Sequence, residues 1–209
     1  YGLTGKVCRS YQEEKKEFDV RTQYLDMLKR GLTYYLYEEL PHDTMPLVDW
    51  DLHYRMRDSQ NNPPSGYRHG FGITTLPLGA LDLVQYAIQD VIENNIPGDV
   101  VEAGVWRGGL AVLMAATIRA FSSNKILYAC DSYSGIPMVE HDQDVNQWTE
   151  RYEVSKDEVM RNFARFGMLD EQRVKFVQGY FNESLHDSLP ETLSLVHIDG
   201  DAFDSTMDV

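Results

Sequence analysis

Three acids sit at the ends of short apolar runs, and a glycine-rich turn lies between the first two. Val100 and Val101 lead into Glu102, residues 125–130 (KILYAC) into Asp131, and residues 192–198 (TLSLVHI) into Asp199. A fourth run, residues 173–178, closes on Gly179 and Tyr180. The turn is Gly104-Val105-Trp106-Arg107-Gly108-Gly109, and an apolar helical stretch, residues 110–118, follows it. Glycines there let backbone N–H groups and a ligand approach closely, because no Cβ intervenes. The spacing is neither G-x-G-x-x-G nor the P-loop pattern. An acid before the turn, and no lysine in it, suits a ligand with a positive amino group better than a pyrophosphate. The plain alternative is a tight strand–helix turn. Asp131 at the second strand end is placed to accept hydrogen bonds from ribose hydroxyls; the alternative is a turn or helix-cap residue. A nucleoside-containing ligand is expected, with its ribose on Asp131 and its other end over Gly104. Asp199-Gly200-Asp201, with Asp204 behind, crowds carboxylates, which is costly unless a cation or shared proton relieves them. Such oxygen-rich clusters suit Mg²⁺. A helix start with no metal explains the same spacing equally well.

These residues need a scaffold that brings strand ends together. Strand and helix patterns alternate four times from residue 98, which predicts a parallel sheet with helices on both faces. Ligands bind outside the carboxyl ends of such strands. Upstream, a helix is expected from Thr22, with Leu25, Leu28, Leu32, Tyr35 and Leu36 at helical spacing. Residues 41–70 are rich in breakers, and their tip, residues 67–72 (YRHGFG), suits a lid or a surface loop. Thr75 and Pro77 open a second helix with Leu81, Val84, Ile88, Val91 and Ile92 on its buried stripe. Ser155 to Glu158 reads as a capping box before Val159, Met160, Phe163 and Phe166. A chain of 209 residues suits one domain with a small appendage: arm, helix and lid-like loop over 1–75, and the ligand-binding domain over 76–209.

Composition narrows the partners. A net charge of −14 disfavours a nucleic-acid backbone or an anionic membrane surface as the main partner. The longest apolar runs are too short to cross a bilayer. Cys8 and Cys130 form no disulfide or metal pattern, and the polar start shows no signal peptide, so a reducing, cytoplasmic setting is expected.

Four stretches together carry a family resemblance: GDVVEAGVWRGG, ACDSYSGIP, VSKDEVMRNFARFGMLDEQRVKFVQGYF and HIDGDAFDSTMD. They resemble the macrocin O-methyltransferase family, S-adenosylmethionine-dependent, metal-dependent enzymes that methylate sugar hydroxyls of antibiotics. RTQYLDMLKRGLTYYLYEEL is similar to their N-terminal helix, so the resemblance spans about residues 20–209. It implies a Rossmann-like class I methyltransferase sheet, with the first strand central and the fourth beside it. By this resemblance Glu102 and Gly104, with Trp106 and Arg107 of the same turn, face the methionine part of S-adenosylmethionine. Asp131, with Ser132 beside it, binds the ribose. Tyr180 and Phe181 lie near the adenine, and Asp199 ligates Mg²⁺. Asp201 is the candidate base or second ligand, and His141, in the loop after the second strand, the candidate catalytic histidine.

The expected reaction is direct methyl transfer to a small-molecule hydroxyl of a natural-product sugar or polyol. The competing readings are an inactive methyltransferase-like assembly module and an NAD-dependent dehydrogenase; the glycine spacing argues against the latter. Measured against the family, the sequence stops short of the last strands and their metal-binding carboxylate pair. The fourth strand is then an apolar edge, a template for pairing, so continuation of the chain or a homo-oligomer is expected.

Overall fold

The structure is a computed structural model, and it describes residues 19–33, 36, 72–136 and 153–209. Four parallel strands make one sheet: β1 (Asp99–Ala103), β2 (Leu127–Asp131), β3 (Val174–Gln178) and β4 (Leu193–Ile198). Their order is β3-β2-β1-β4, so β1 lies between β2 and β4. The α/β fold with a Rossmann-like sheet, expected from the alternation of elements, is the one observed. The chain steps outward from β1 to β3, then returns across the sheet to β4. That return makes the gap between β1 and β4 a topological switch point, where such sheets bind ligands.

The helices are α1 (Val20–Leu32), α2 (Leu78–Glu93), α3 (Gly109–Ala120), α4 (Lys156–Arg165), α5 (Phe181–Ser188) and α6 (Phe203–Met207). On one face, Val100, Leu127, Ala129 and Val174 pack with α3 and with Val159 and Phe163 of α4. Helix α3 is buried from Gly109 through Ile118, because α1 and α2 cover its outer side with Leu25, Leu32, Leu81 and Ile88. On the other face, Val101 and Cys130 pack with Leu185 of α5. Buried helix and strands alike read as apolar runs for this reason.

Local chemistry sets the ends. Asp19 caps α1 through its carboxylate and the Arg21 N–H, 3.1 Å. The helix stops at Leu32 although the apolar spacing continues to Leu36; Thr33 turns its hydroxyl back onto the Lys29 carbonyl, 2.9 Å. Helix α2 begins at Leu78, with Pro77 as its cap residue, rather than at Thr75, because proline drives the residue before it out of helical geometry. Ser155 caps α4 by accepting from the Glu158 N–H at 3.3 Å. β2 starts two residues later than expected. Lys125 instead turns its ammonium onto the carbonyls of Ile96 and Gly98, 2.6 Å each. The final helix, α6, starts at Phe203.

Gly104 has φ +97°, and a Cβ there would overlap the Asp199 carbonyl. The absent side chain lets β1 and β4 close at their carboxyl ends, where the Asp199 N–H donates to Ala103 O at 2.7 Å. Gly104→Ala should therefore lower folding stability by roughly 3 kcal/mol, from left-handed strain and overpacking. Gly79→Ala, in α2 with nothing within 4 Å, should change it by no more than about 1 kcal/mol. Urea midpoints compare the two; equal midpoints would contradict this packing.

Candidate functional site

The four strands end at one level. Ala103 pairs with Cys130 on one side and with Ile198 on the other, and Asp131 pairs with Gln178. Side chains alternate along a strand, so Val100 and Glu102 share the α3 face, as do Ala129 and Asp131. A bulge opposite Asp99 and Val100 resets the phase of β4. Leu195, His197 and Asp199 then fall on that same face. The expected acids thus meet on one rim.

Glu102 is 2% exposed, and its Oε2 has no partner among the described residues. Burial pushes its carboxyl well above the usual carboxylate range, and the charges of Asp199 and Asp131 push it further. Asp201 sits in the left-handed region, φ +57°. Its carboxyl is pushed up to about 6, first by desolvation within the rim and then by Asp199 and Asp131. The residue as a whole stays open to solvent, so water moderates both effects. Asp199 is likewise exposed. Among the described residues no group of three histidines, cysteines or acids is placed to hold a metal ion. Asp199 and Asp201 supply at most part of a metal set.

Asp131 is already at work. Its Oδ2 accepts from the N–H groups of Val105, 2.7 Å, and Trp106, 3.1 Å, so it holds the glycine turn against β2. Its Oδ1 accepts from the Tyr133 N–H at 2.8 Å. Ser132 spends its hydroxyl on the Gly135 carbonyl, 2.6 Å. The turn is thus a structured cradle: Trp106 has φ +47° and Gly108 φ +86°. The Gly109 N–H, which opens α3, donates to Ile73 O at 2.9 Å. The Arg107 guanidinium lies 4.8 Å from the Trp106 ring and donates to Gly72 O at 3.4 Å.

The remaining expected residues are more scattered. Gly179 donates its N–H to the Asp131 carbonyl, 3.0 Å, which sets Tyr180 at the same rim as an exposed residue. Phe181 packs instead into the core on the α5 face. His141 and the lid-like tip at residues 67–71 lie outside the described residues. Two residues escaped the sequence reading. His197 pairs in register with Glu102, and its buried Nδ1 has no partner among the described residues; burial lowers its pKa against an opposing pull from Asp199. Asn162 of α4 donates to Arg107 O at 2.9 Å. Strand alternation back from Asp199 could have found His197. Asn162 carried no signal, since it sits among apolar residues of a helix.

A parallel sheet with a glycine turn after its first strand and acids on the adjoining strand ends defines a Rossmann-like α/β fold. The chain belongs to the macrocin O-methyltransferase (TylF) family, whose pattern it matches over residues 21–209. It is 33% identical over 194 residues to demethyldecarbamoylnovobiocin O-methyltransferase of Streptomyces niveus, covering 88% of this chain and 72% of that one. It is 32% identical over 198 residues to the 8-demethyl-8-(2,3-dimethoxy-alpha-L-rhamnosyl)-tetracenomycin-C 4'-O-methyltransferase of Streptomyces olivaceus, covering 91% and 73%. The solved structure of the O-methyltransferase NovP superposes with a TM-score of 0.73 at 31% identity, covering 90% of this chain and 76% of that one.

The rim predicts a pH signature. The folded protein holds the Glu102 proton more tightly than the unfolded chain does. Its stability is therefore fully present below the ordinary carboxylate value and falls as pH rises through the raised folded value. Glu102→Gln removes this titration while keeping the shape. Urea midpoints of variant and wild type should converge near about pH 4 and separate upward, with the variant the more stable. Identical midpoints over the whole range would show that Glu102 ionises freely.

Proposed function

We propose that the protein is an S-adenosylmethionine-dependent O-methyltransferase acting on a hydroxyl of a natural-product sugar or polyol. The observation that carries this reading is Glu102, buried, without a partner at Oε2 and flanked by the charges of Asp131 and Asp199. A buried acid among acids calls for a cation. The cofactor's amino-acid end carries an ammonium group, with three donors and no acceptor, and fits that demand. The relatives' names support the transfer, and the rhamnosyl group in one of them supports a sugar acceptor. The cofactor, when bound, supplies an electrophilic methyl group.

The chain's own residues then have definite tasks. Glu102 receives the ammonium, which restores its ionised form. Asp131 keeps the turn on Oδ2 and has acceptor capacity left on Oδ1 for a ribose hydroxyl. Gly104, Trp106 and Arg107 frame the cradle, with Ser132 and Tyr180 beside it; Phe181 belongs to the reading through the family resemblance. Asp201, with a carboxyl pushed up to about 6, is suited to take the acceptor's proton near neutral pH. Its carboxylate is the reading's general base, with His141 as the other candidate. Positioning and electrostatics supply most of such catalysis. A Mg²⁺ ion on Asp199 belongs to this reading through the family resemblance. The described residues offer an incomplete ligand set for it, so the residue roles above are derived without it and the requirement for the ion rests on the resemblance. No described helix is long and apolar enough to cross a membrane; the reading itself is of a cytoplasmic enzyme acting on small molecules.

Calorimetry should show binding of S-adenosylmethionine and S-adenosylhomocysteine, and none of NAD. Asp131→Ala should weaken binding roughly ten- to a hundredfold, for loss of hydrogen bonds to a charged acceptor. Undiminished binding by that variant, or preference for NAD, would overturn the reading. Methyl transfer to a rhamnosyl glycoside should stop with EDTA, and Asp199→Asn should remove turnover while sparing cofactor binding. Full activity in EDTA would remove the metal from the account.

A further inference from the structure

The glycine turn is held in a conformation that its own residues resist. Trp106 carries a bulky side chain at φ +47°, where Cβ crowds the backbone. Such a conformation persists only where the surroundings impose it. Three restraints belong to residues already discussed: Asp131 on the N–H groups of Val105 and Trp106, Ile73 O on the Gly109 N–H, and the Gly108 N–H on Val105 O at 2.8 Å. A fourth comes from α4. The Asn162 amide donates from Nδ2 to Arg107 O at 2.9 Å, and Asn162 is 2% exposed.

The orientation of that amide is decided by its other end. Asn162 Oδ1 accepts from Arg165 Nη1 at 3.1 Å. A guanidinium only donates, so Oδ1 must face Arg165 and Nδ2 must face the turn. Close packing backs the same contact: a Cβ on Gly108 would stand 2.9 Å from Val159 and 3.3 Å from Phe163, both on α4. The helix therefore lies directly on the turn: Asn162 grips the carbonyl next to Trp106, and the Glu158 carboxylate stands 3.9 Å from the Arg107 guanidinium.

We infer that Asn162 is a positioning residue for cofactor binding: its amide, oriented by Arg165, fixes the Arg107 carbonyl and so holds Trp106 in the left-handed cradle. The ligand half of this inference rests on the cofactor reading above; the turn half rests on the geometry alone. Two readouts keep them apart. In a Trp50→Phe, Trp148→Phe background, Trp106 is the only indole of the three in the chain. Acrylamide quenching of the ligand-free protein then reports the turn, and calorimetry with S-adenosylhomocysteine reports the site.

Asn162→Asp keeps the volume and the Arg165 contact but turns an acceptor against the Arg107 carbonyl. A packing role would be preserved by this change, whereas the positioning role predicts about twofold greater quenching and about tenfold weaker binding, the loss expected for one buried hydrogen bond. Arg165→Met, at an exposed position, frees the amide to flip and should give a smaller loss in the same direction, about threefold. It also serves if Asn162→Asp does not fold. Wild-type quenching and wild-type affinity in the folded variants would overturn the inference. If the unsubstituted protein does not bind S-adenosylhomocysteine, the cofactor reading falls, and quenching alone decides: a rise in the variants supports the clamp on the turn, and unchanged quenching overturns it.

Discussion

Crowded negative charge at the carboxyl rim of the sheet is the constraint on which the rest of the site depends. Glu102, Asp131 and Asp199 approach one another because β1 is central and its neighbours on both sides end in acid. Two of the three carboxylates have answers within the protein or in water. Asp131 is saturated by backbone N–H groups on one oxygen, and Asp199 is exposed. Glu102 has neither. Its burial and its neighbours favour the protonated form, and a cation at that place would reverse the preference. A fold retains a buried group in that state at a cost to stability. That cost has a natural explanation when the group's partner arrives with a ligand.

The glycine turn makes the arrangement geometrically possible. Gly104 removes the side chain that would separate β1 from the Asp199 backbone, so the closing of the rim and the opening of the cradle are one event. Asp131 then ties the turn to β2, and α4 ties it from outside through Asn162. The same carboxylate that is assigned to the ribose is therefore also a structural anchor. A loss of binding on its removal reports both tasks together, which is why substitutions remote from the ligand are needed to separate them.

Much of this was legible in the sequence because it rests on local signals. Apolar runs ending in Glu102, Asp131 and Asp199 mark strand ends, and Gly104 to Gly109 marks the turn between strand and helix. The alternation of elements then implies a parallel sheet, and the family motifs order it. What was not legible depends on contacts distant in sequence. Gly104 reads from the sequence as room for a ligand; that it also makes room for β4 depends on the distant Asp199 carbonyl. Asp131 reads from the sequence as a ribose acceptor; its backbone partners lie 25 and 26 residues away and leave no local signal. Phe181 is expected near the adenine by the resemblance, and its contacts with Val101, Cys130 and Leu185 carry no mark in the local sequence. The end of α1 at Leu32 and the start of α2 at Leu78 followed from Thr33 and Pro77, single residues that outweigh an apolar stripe.

In the proposed reading the acidic rim around Glu102 receives the cationic amino-acid end of the cofactor. Calorimetry comparing S-adenosylhomocysteine with 5'-methylthioadenosine, which has the nucleoside but lacks that end, isolates this contact. S-adenosylhomocysteine should bind at least about tenfold more tightly, a difference of about 1.4 kcal/mol, and Glu102→Gln should remove most of the difference. Equal affinity for the two ligands, or a preference for S-adenosylhomocysteine that survives Glu102→Gln intact, would contradict it.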